Sequence, residues 1–404
     1  MKRILRALFE RIARGQDTIL RAVFADASTW QSRPGTPALT IVFRTARAER
    51  NTVLLGYVGF FEAWFDAEID LVGERPAGLL MRLAYGSAYR YGANPLLTLM
   101  RRRLEARDDN RDRARAQANA RHHYGMPHAF FHLMLGEACL YAEGLWHDAT
   151  TTLAEAQANR CEAICRKLRL APGQRLVEVG SGWGEMALHA AEHHGVEVVN
   201  YGLVPEQNRV MAERIAARGL TGRVTIVEKD HRDLAAEPGA YDRYLSVGVY
   251  EHAGHTCQKT WIEGIATALK PGGIGLISTT SYMAQFPTEY LTIKYIFPGG
   301  AVPSLPRALD LLDDAGLHVV RLEELGWHYQ RTAEAWLANV EASWDAIVAI
   351  DPVRFTERFR RIWTYYLEGV IEGFRAGGSG LDLHHITFTK GRVPYPLEPI
   401  PPAG

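Results

Sequence analysis

A glycine-rich turn directly after a short apolar segment is the part of this sequence best suited to binding a ligand. Residues 175–186 read RLVEVGSGWGEM, with glycines at Gly180, Gly182 and Gly184. Glycines let the backbone approach a ligand closely, and the helix predicted over residues 185–194 offers free N–H groups at its positive end. The turn therefore predicts a ligand crevice at the edge of an open α/β sheet.

The residues after the turn distinguish between the cofactors that use it. Nicotinamide, flavin and S-adenosylmethionine sites all contain such turns. A nicotinamide site needs an acidic residue about 20 positions later, but Asn200 and Tyr201 stand there and no carboxylate follows before Glu206. The later segments EKDHRDL, YDRYLSVGVYEH and LKPGGIGLIS continue the alternation of strands and helices. This order resembles that of a class I S-adenosylmethionine methyltransferase with a Rossmann-like sheet.

Length and composition are those of an enzyme with a second domain. The chain has 404 residues, 47% of them hydrophobic and 23% charged, and its formal net charge is zero. Nothing in this balance suggests a nucleic-acid partner. The four cysteines do not form a disulfide framework at this length, and although Cys161 and Cys165 have helical spacing, no second pair completes a metal site. We predict reduced thiols, no metal, no signal peptide and no membrane-spanning segment.

The chain divides into four segments. We predict a small α/β or α+β domain over residues 1–100 and an arginine-rich linker or exposed helix over 101–121. The methyltransferase domain, with helical lid insertions, is predicted over 122–392. A proline-rich tail follows at 393–404.

Two basic segments are candidates for contact with a membrane surface. Near the N-terminus, apolar residues recur at helical spacing opposite Arg3, Arg6, Arg11 and Arg14, namely Ile4, Leu5, Leu8, Phe9 and Ile12. Such a helix lies on an anionic bilayer or, alternatively, docks on its own domain. The arginine-rich linker is the second candidate.

Several motifs together resemble the cyclopropane-fatty-acyl-phospholipid synthase family. They are HYGMPHAFFHLMLGEACLYAEGLW (123–146), the glycine turn, VGVYEHAG, KYIFPGGAVPS (294–304), WHYQRTAEAW (327–336) and RIWTYYLEGVIEGFRAG (361–377). The resemblance implies a cytoplasmic enzyme, peripherally associated with the inner face of the membrane and possibly a homodimer. It implies transfer of a methyl group from S-adenosylmethionine to a cis double bond in a phospholipid acyl chain.

The resemblance also implies which residues bind the cofactor. They are Tyr141, Ala142, Glu178, Gly180, Gly182, Gly184, Gln207, Asp230 and His231. Gln207 takes the place of the missing acidic residue at the ribose, and Asp230 and His231 flank the adenine. Alternatively, His231 is a solvent-facing loop residue.

The catalytic residues depart from the family pattern. In the family, a bicarbonate ion that accepts the proton is held by a cysteine, a glutamate, a histidine and a tyrosine. Glu251 and Tyr329 match two of these positions, whereas the cysteine position falls on Glu143 and the histidine position on Ser278. We predict that Glu143 is the general base, oriented by Glu251 and Tyr329, and that no bicarbonate binds. Two carboxylates in one apolar pocket should raise one pKa. Alternatively, Glu143 is a surface residue after a helix.

Aromatic residues of the C-terminal half are suited to an acyl chain and a carbocation. We predict that the substrate contacts Ser278, Tyr282, Tyr295, Trp336 and Tyr365. The product, a methylene or methyl-branched chain or a cyclopropane, is left open, with the branched product favoured. A soluble N- or O-methyltransferase and a cofactor-binding protein without activity are the alternatives.

Overall fold

The computed structural model describes residues 1–86, 94–376 and 378–396. The first part contains α1 (Lys2–Ala13), β1 (Leu20–Val23), β2 (Thr29–Gln31), β3 (Leu39–Phe43), α2 (Ala46–Phe65), β4 (Ile69–Gly73) and α3 (Pro76–Gly86). Four helices follow, α4 (Pro95–Arg107), α5 (Arg113–Tyr124), α6 (His128–Leu135) and α7 (Leu153–Lys167).

Strands and helices then alternate. They are β5 (Arg175–Val179), α8 (Glu185–His194), β6 (Glu197–Tyr201), α9 (Pro205–Ala217), β7 (Val224–Val227), β8 (Tyr241–Val247), α10 (Gln258–Ala268) and β9 (Leu269–Ser281). The last elements are α11 (Tyr290–Tyr295), α12 (Leu305–Asp314), β10 (Leu317–Glu324), α13 (Gly326–Ala342), α14 (Trp344–Ile350), α15 (Glu357–Gly373) and β11 (Asp382–Lys390).

The larger sheet has seven strands in the order β10-β11-β9-β8-β5-β6-β7. Strands β5 to β9 are parallel, and β11 runs antiparallel to both β9 and β10. Strand β5 lies between β6 on one side and β8 on the other, so the chain builds the sheet outward from β5 in both directions. A ligand crevice forms at such a switch point, beside the carboxyl ends of the strands. The predicted α/β class and Rossmann-like sheet are confirmed.

A mixed four-stranded sheet, in the order β2-β1-β3-β4, organises the first 73 residues. Helix α1 packs on it through Leu5, Phe9 and Ile12, which belong to its apolar core. The apolar face of α1 is therefore used inside the protein. This favours the docked helix over the membrane-bound helix at this position.

Helix α15 joins this region to the larger domain. The Tyr365 ring lies 4.6 Å from that of Phe61, and the buried Glu372 pairs with Arg82 at 2.7 Å. Within the described ranges, no helix combines the length and the apolarity that crossing a bilayer requires.

Candidate active site

The glycine-rich turn forms one wall of a cavity at the carboxyl ends of β5 and β6, which we call the glycine-turn cavity. Backbone φ is +80° at Gly180 and +59° at Gly182, in the left-handed region that glycine adopts without strain. A Cβ atom at Gly180 would lie 2.8 Å from Val249 Cγ2. At Gly182 the nearest atom would be Gln207 Nε2 at 3.9 Å, so this glycine leaves room inside the cavity.

Eight of the nine residues predicted to bind the cofactor line this cavity, namely Tyr141, Ala142, Glu178, Gly180, Gly182, Gln207, Asp230 and His231. The ninth, Gly184, is the N-cap of α8. A Cβ atom there would lie 2.5 Å from Met211 Cγ. We therefore revise its role from contact with the cofactor to close packing of the turn against α9.

One end of the cavity has a flat aromatic face. The ring centroids of His231 and Trp261 are 3.9 Å apart and the planes are inclined by 20°. Burial lowers the pKa of His231 to about 4, so the ring is neutral near pH 7. His231 is thus a buried aromatic surface, not the solvent-facing loop residue of the alternative interpretation. Beside it, Asp230 pairs with Arg232 at 2.6 Å.

Glu178 lies buried at the end of β5. Its carboxylate accepts a hydrogen bond from Ser181 Oγ at 2.9 Å. Burial raises the pKa of Glu178 to about 7, against the opposing influence of Ser181 and Arg160. A positively charged ligand group would favour the ionised form of this carboxylate.

Arg160 is a candidate functional residue that sequence reasoning missed. It lies on α7, is only 1% exposed, and lines the glycine-turn cavity. Its Nε and Nη2 atoms have no hydrogen-bond partner among the described residues. Unpaired buried guanidinium nitrogens are costly, which indicates an anionic group as their partner. The available signal was an arginine on the apolar face of α7, between Ala156 and Ile164.

A second cavity, which we call the aromatic cavity, adjoins the first. Its wall includes Tyr282, Phe297, Tyr329, Tyr365, Tyr366, Val370 and Phe374. Five residues line both cavities, namely Tyr124, Tyr141, Ala142, Gly248 and His252. A small group transferred between ligands in the two cavities would pass this common boundary.

Glu143 lines the aromatic cavity and is 1% exposed, which rules out the surface-residue interpretation. Its Oε1 lies 2.6 Å from His385 Nε2 and accepts a hydrogen bond from Ser278 Oγ at 3.2 Å. Burial acts to raise the pKa of Glu143, but the hydrogen bond from His385 and the charges around it outweigh burial and lower the pKa. Glu143 is therefore a buried carboxylate that stays ionised.

Glu251 is the second carboxylate on this wall. Its Oε1 accepts a hydrogen bond from the Thr280 backbone N–H at 2.6 Å, and its buried Oε2 has no hydrogen-bond partner among the described residues. Burial raises the pKa of Glu251. The two carboxylates thus have pKa values shifted in opposite directions, which is the pattern of acid and base groups in active sites.

A family model described as mycolic acid cyclopropane synthetase matches residues 111–386. The chain belongs to the mycolic acid cyclopropane synthetase family. It is 33% identical over 278 residues to the cyclopropane-fatty-acyl-phospholipid synthase of Escherichia coli, covering 69% of each chain. It is 29% identical over 394 residues to the tuberculostearic acid methyltransferase of Mycobacterium tuberculosis, covering 93% of this chain and 88% of that one.

A solved structure has the same fold. The mycolic acid cyclopropane synthase CmaA1, complexed with SAH and CTAB, superposes with a TM-score of 0.60 at 27% identity, covering 68% of this chain and 98% of that one. The predicted family, the methyltransferase fold and the enzyme class are confirmed. This cyclopropane synthetase homologue is an S-adenosylmethionine-dependent enzyme that methylates lipid acyl chains.

The glycine-turn cavity fits S-adenosylmethionine, which supplies a methyl group on a positively charged sulfur. Gly182 leaves space for the methionine part, and the Nε and Nη2 atoms of Arg160, which lack partners among the described residues, suit its carboxylate. The stacked rings of His231 and Trp261 suit a purine base.

This chain has Ser278 where the family pattern has a histidine, but a histidine lies beside it on the adjacent strand. In the register between β9 and β11, His385 lies directly opposite Ser278. The expected orienting residues, Glu251 and Tyr329, share the cavity with Glu143, but the side chains that hold its carboxylate are His385 and Ser278. Sequence reasoning missed His385 because its partner is 242 positions away in the chain.

The five residues predicted to contact the substrate are divided between the cavity wall and positions behind it. Tyr282 and Tyr365 line the aromatic cavity. Ser278 lies behind it, bonded to Glu143. Trp336 is fully buried against the ring of Tyr141 at 5.2 Å.

Tyr295 is the clearest departure among these five. It donates a hydrogen bond to Glu62 at 2.7 Å and accepts one from Arg358 at 3.0 Å. Its hydroxyl group therefore serves the contact with the N-terminal region, and we withdraw it as a substrate residue.

The cysteines are buried free thiols. The sequence analysis considered only cysteine pairs as metal ligands. In the structure, Cys165 Sγ and ring nitrogens of His189 and His194 lie within 4.8 Å of one another. His194 already pairs with Glu162 at 3.1 Å. We treat this group as a polar contact between α7 and α8.

Proposed function

We propose that the enzyme transfers a methyl group from S-adenosylmethionine to a carbon of a cis double bond in an unsaturated phospholipid acyl chain. Glu143 then removes a proton from the resulting cation. The observation that carries the proposal is the common boundary of the two cavities, at Tyr141, Ala142 and Gly248, beside a buried ionised carboxylate. A double bond at this boundary would lie between the methyl donor and the base.

The aromatic cavity suits this reaction better than methylation of a soluble amine or alcohol. An alkene is a weak nucleophile, so the site must align it closely with the methyl group and exclude water from the cation. Rings of Tyr141, Tyr329 and Tyr366 surround the cavity, and their faces stabilise positive charge. The largely apolar lining of the cavity matches an acyl chain.

Glu143 has the properties of the base. It is ionised, buried and fixed on one oxygen by His385, so it accepts a proton without a bound anion. A carboxylate at this position would also repel bicarbonate. We therefore propose that the reaction needs no bicarbonate.

The position of the base determines the product. Removal of a proton from a neighbouring chain carbon gives a methyl-branched olefin. Removal of a proton from the new methyl group closes a cyclopropane ring. It gives a methylene group only if a hydride first shifts from the methylated carbon to the neighbouring cationic carbon. We favour the branched or methylene product, because the relative that matches 93% of this chain is named as a methyltransferase and not as a cyclopropane synthase.

We expect labelled methyl groups from S-adenosylmethionine to appear in unsaturated phospholipid vesicles and not in soluble amine or alcohol acceptors. Saturated vesicles of the same headgroup serve as the control, since they lack the double bond. The released fatty acids are hydrogenated under conditions that spare a cyclopropane ring and are then analysed by mass spectrometry. A branched olefin takes up hydrogen and gains mass, whereas a cyclopropane does not. Labelling of soluble acceptors alone would contradict the proposal.

We also propose that the enzyme docks on anionic phospholipid through α4 and the nearby segment 283–286. Leu96 and Leu99 on α4 are about half exposed, and so are Met283 and Phe286. The Phe286 ring lies 5.1 Å from that of Tyr282, which lines the aromatic cavity. Arg101 and Phe286 line one groove, so the basic and apolar residues are neighbours.

We expect charge removal at Arg101, Arg102 and Arg103, by substitution with glutamine, to weaken vesicle binding by about 100-fold. Each basic residue near an anionic surface contributes roughly 1 kcal/mol. Binding of the wild type should also weaken with salt, because the Debye length falls from about 10 Å at 0.1 M to about 3 Å at 1 M. Vesicle co-sedimentation measures both effects.

Arg3 and Arg11 on α1, with Arg14 directly after it, provide a control with equal charge removal. The apolar face of α1 is buried in its own domain, so this second triple variant should bind nearly as the wild type does. Equal loss in the two variants would assign the effect to net charge alone.

A further inference from the structure

A line of polar contacts leads from Glu143 out of the aromatic cavity and along one face of the sheet. His385 Nε2 lies 2.6 Å from Glu143 Oε1, and His385 Nδ1 lies 2.8 Å from Lys167 Nζ. Lys167 in turn forms an ion pair with Glu323 at 2.6 Å. Glu143, His385 and Lys167 are each at most 6% exposed, whereas the Glu323 side chain is 24% exposed.

The outer end of this line opens toward solvent. Lys167 and Glu323 line a third cavity, together with Arg166, Arg169 and Arg321. Glu323 pairs with Arg321 at 2.7 Å. Lys167 is the last residue of α7, where a lysine normally extends into water. Here its amine points inward, toward His385.

The contact between Lys167 and His385 determines the state of the imidazole ring. An ammonium group has three donors and no acceptor, so His385 Nδ1 must accept. In the neutral ring the proton then lies on Nε2, which donates to Glu143. The hydrogen bond to Glu143 therefore depends on a lysine that does not touch it.

We propose that His385 and Lys167 are positioning residues for the base Glu143. Lys167 selects the tautomer of His385, and His385 fixes Glu143 Oε1, which leaves the other carboxylate oxygen to accept the substrate proton. Glu323 anchors Lys167 at the solvent end. This inference rests on the proposed role of Glu143 as the base.

The electrostatics agree with this arrangement. Burial lowers the pKa of His385, and the Lys167 charge lowers it further, so the ring is neutral. Burial lowers the pKa of Lys167, while Glu323 acts to raise it. The remaining titratable groups around Glu143 are Arg160 on α7, His328 and Tyr329 on α13, and Glu251 after β8.

The test compares Lys167→Met with the wild type by kcat/KM as a function of pH, using unsaturated phospholipid vesicles and S-adenosylmethionine. Loss of the cation and of the tautomer selection destabilises the ionised form of Glu143, so its pKa rises. The acid limb of the profile should move upward by about one pH unit, with roughly tenfold lower activity below the midpoint. The KM for S-adenosylmethionine should not change.

Two substitutions make this result specific. Lys167→Arg keeps the cation and the donors and should restore the position of the acid limb. Lys390→Met removes a partly buried lysine at the far end of β11, where it bonds to the Leu269 carbonyl oxygen, and should leave the profile unchanged. A uniform loss of activity in Lys167→Met, without a shift, would assign Lys167 a structural role and overturn the inference.

Nitrogen-15 NMR of histidine-labelled protein tests the same point without activity. In the wild type, His385 should show a protonated Nε2 and an unprotonated Nδ1, with His385→Gln providing the assignment. A protonated Nδ1 would overturn the inference even if Lys167→Met does not fold. If Glu143→Gln is fully active, the proposed base is wrong. If Glu143→Gln is inactive and Lys167→Met shows no shift, only the positioning inference fails.

Discussion

Glu143→Gln is expected to lower turnover by about 10²- to 10⁴-fold, the usual contribution of a general base. Glutamine has nearly the same size and can still accept the hydrogen bond from His385, but it cannot take up a proton. Fold and affinity for S-adenosylmethionine should be retained, since Glu143 lines the aromatic cavity and not the glycine-turn cavity. Single-turnover methylation of vesicle lipid measures the loss, and calorimetry measures the affinity.

Dependence on bicarbonate provides the decisive control. Wild-type activity should be indifferent to its removal, and Glu143→Cys, which restores the family's residue, should regain some activity when bicarbonate is added. Full rescue is not expected, because Ser278 stands at the family's histidine position and His385 approaches the site from the adjacent strand instead. Exposed Glu137 is a matched control, and Glu137→Gln should behave as the wild type. If the wild type requires bicarbonate, or if Glu143→Gln has near-normal turnover, then a bound anion and not Glu143 accepts the proton.

The parts of the site that are local in sequence could be predicted. The turn after β5 and the helix Glu185–His194 follow from glycine spacing and apolar periodicity, and the structure gives the helix with these bounds. The cofactor cavity then follows from topology, because parallel strands end on the same edge of the sheet. Gly184 lies outside its wall because sequence spacing does not tell whether a glycine faces a ligand or a neighbouring helix.

The network around Glu143 could not be predicted in this way. His385, Lys167 and Glu323 come from β11, α7 and β10, and only the order and register of the sheet bring them together. Taken singly, each looks like an ordinary residue of a strand or helix end. Sequence matching placed the carboxylate but not the side chains that orient it.

The aromatic residues show a related limit. Tyr295 and Trp336 are aromatic residues of the kind that line a substrate channel. In the structure, however, Tyr295 donates a hydrogen bond to Glu62, and Trp336 packs behind Tyr141. Ring type predicts burial well, because large apolar area must leave water. It does not predict which face of a helix meets a cavity, because that depends on how the helices pack together.

Gly182→Asp and Gly180→Val are each expected to abolish binding of S-adenosylmethionine. At Gly182 the side chain would occupy open cavity space, since no protein atom but Gln207 Nε2 lies within 4 Å of the added Cβ. At Gly180 it would meet Val249 at 2.8 Å and push the turn out of shape. Backbone strain at positive φ adds only about 1–2 kcal/mol, so the expected loss is mainly steric.

Gly219→Asp separates the steric effect from that strain. Gly219 has φ of +67° and nothing within 4 Å of an added Cβ, and it lies in the loop after α9, away from the cavity wall. This variant should have the same backbone strain at positive φ, yet it should bind the cofactor as the wild type does. Isothermal titration calorimetry on variants whose circular dichroism and thermal unfolding are native-like gives the comparison. Near-native affinity in folded Gly182→Asp would show that the glycine turn is not part of the cofactor site. The methyl group could then not be transferred at the boundary between the two cavities, as we propose.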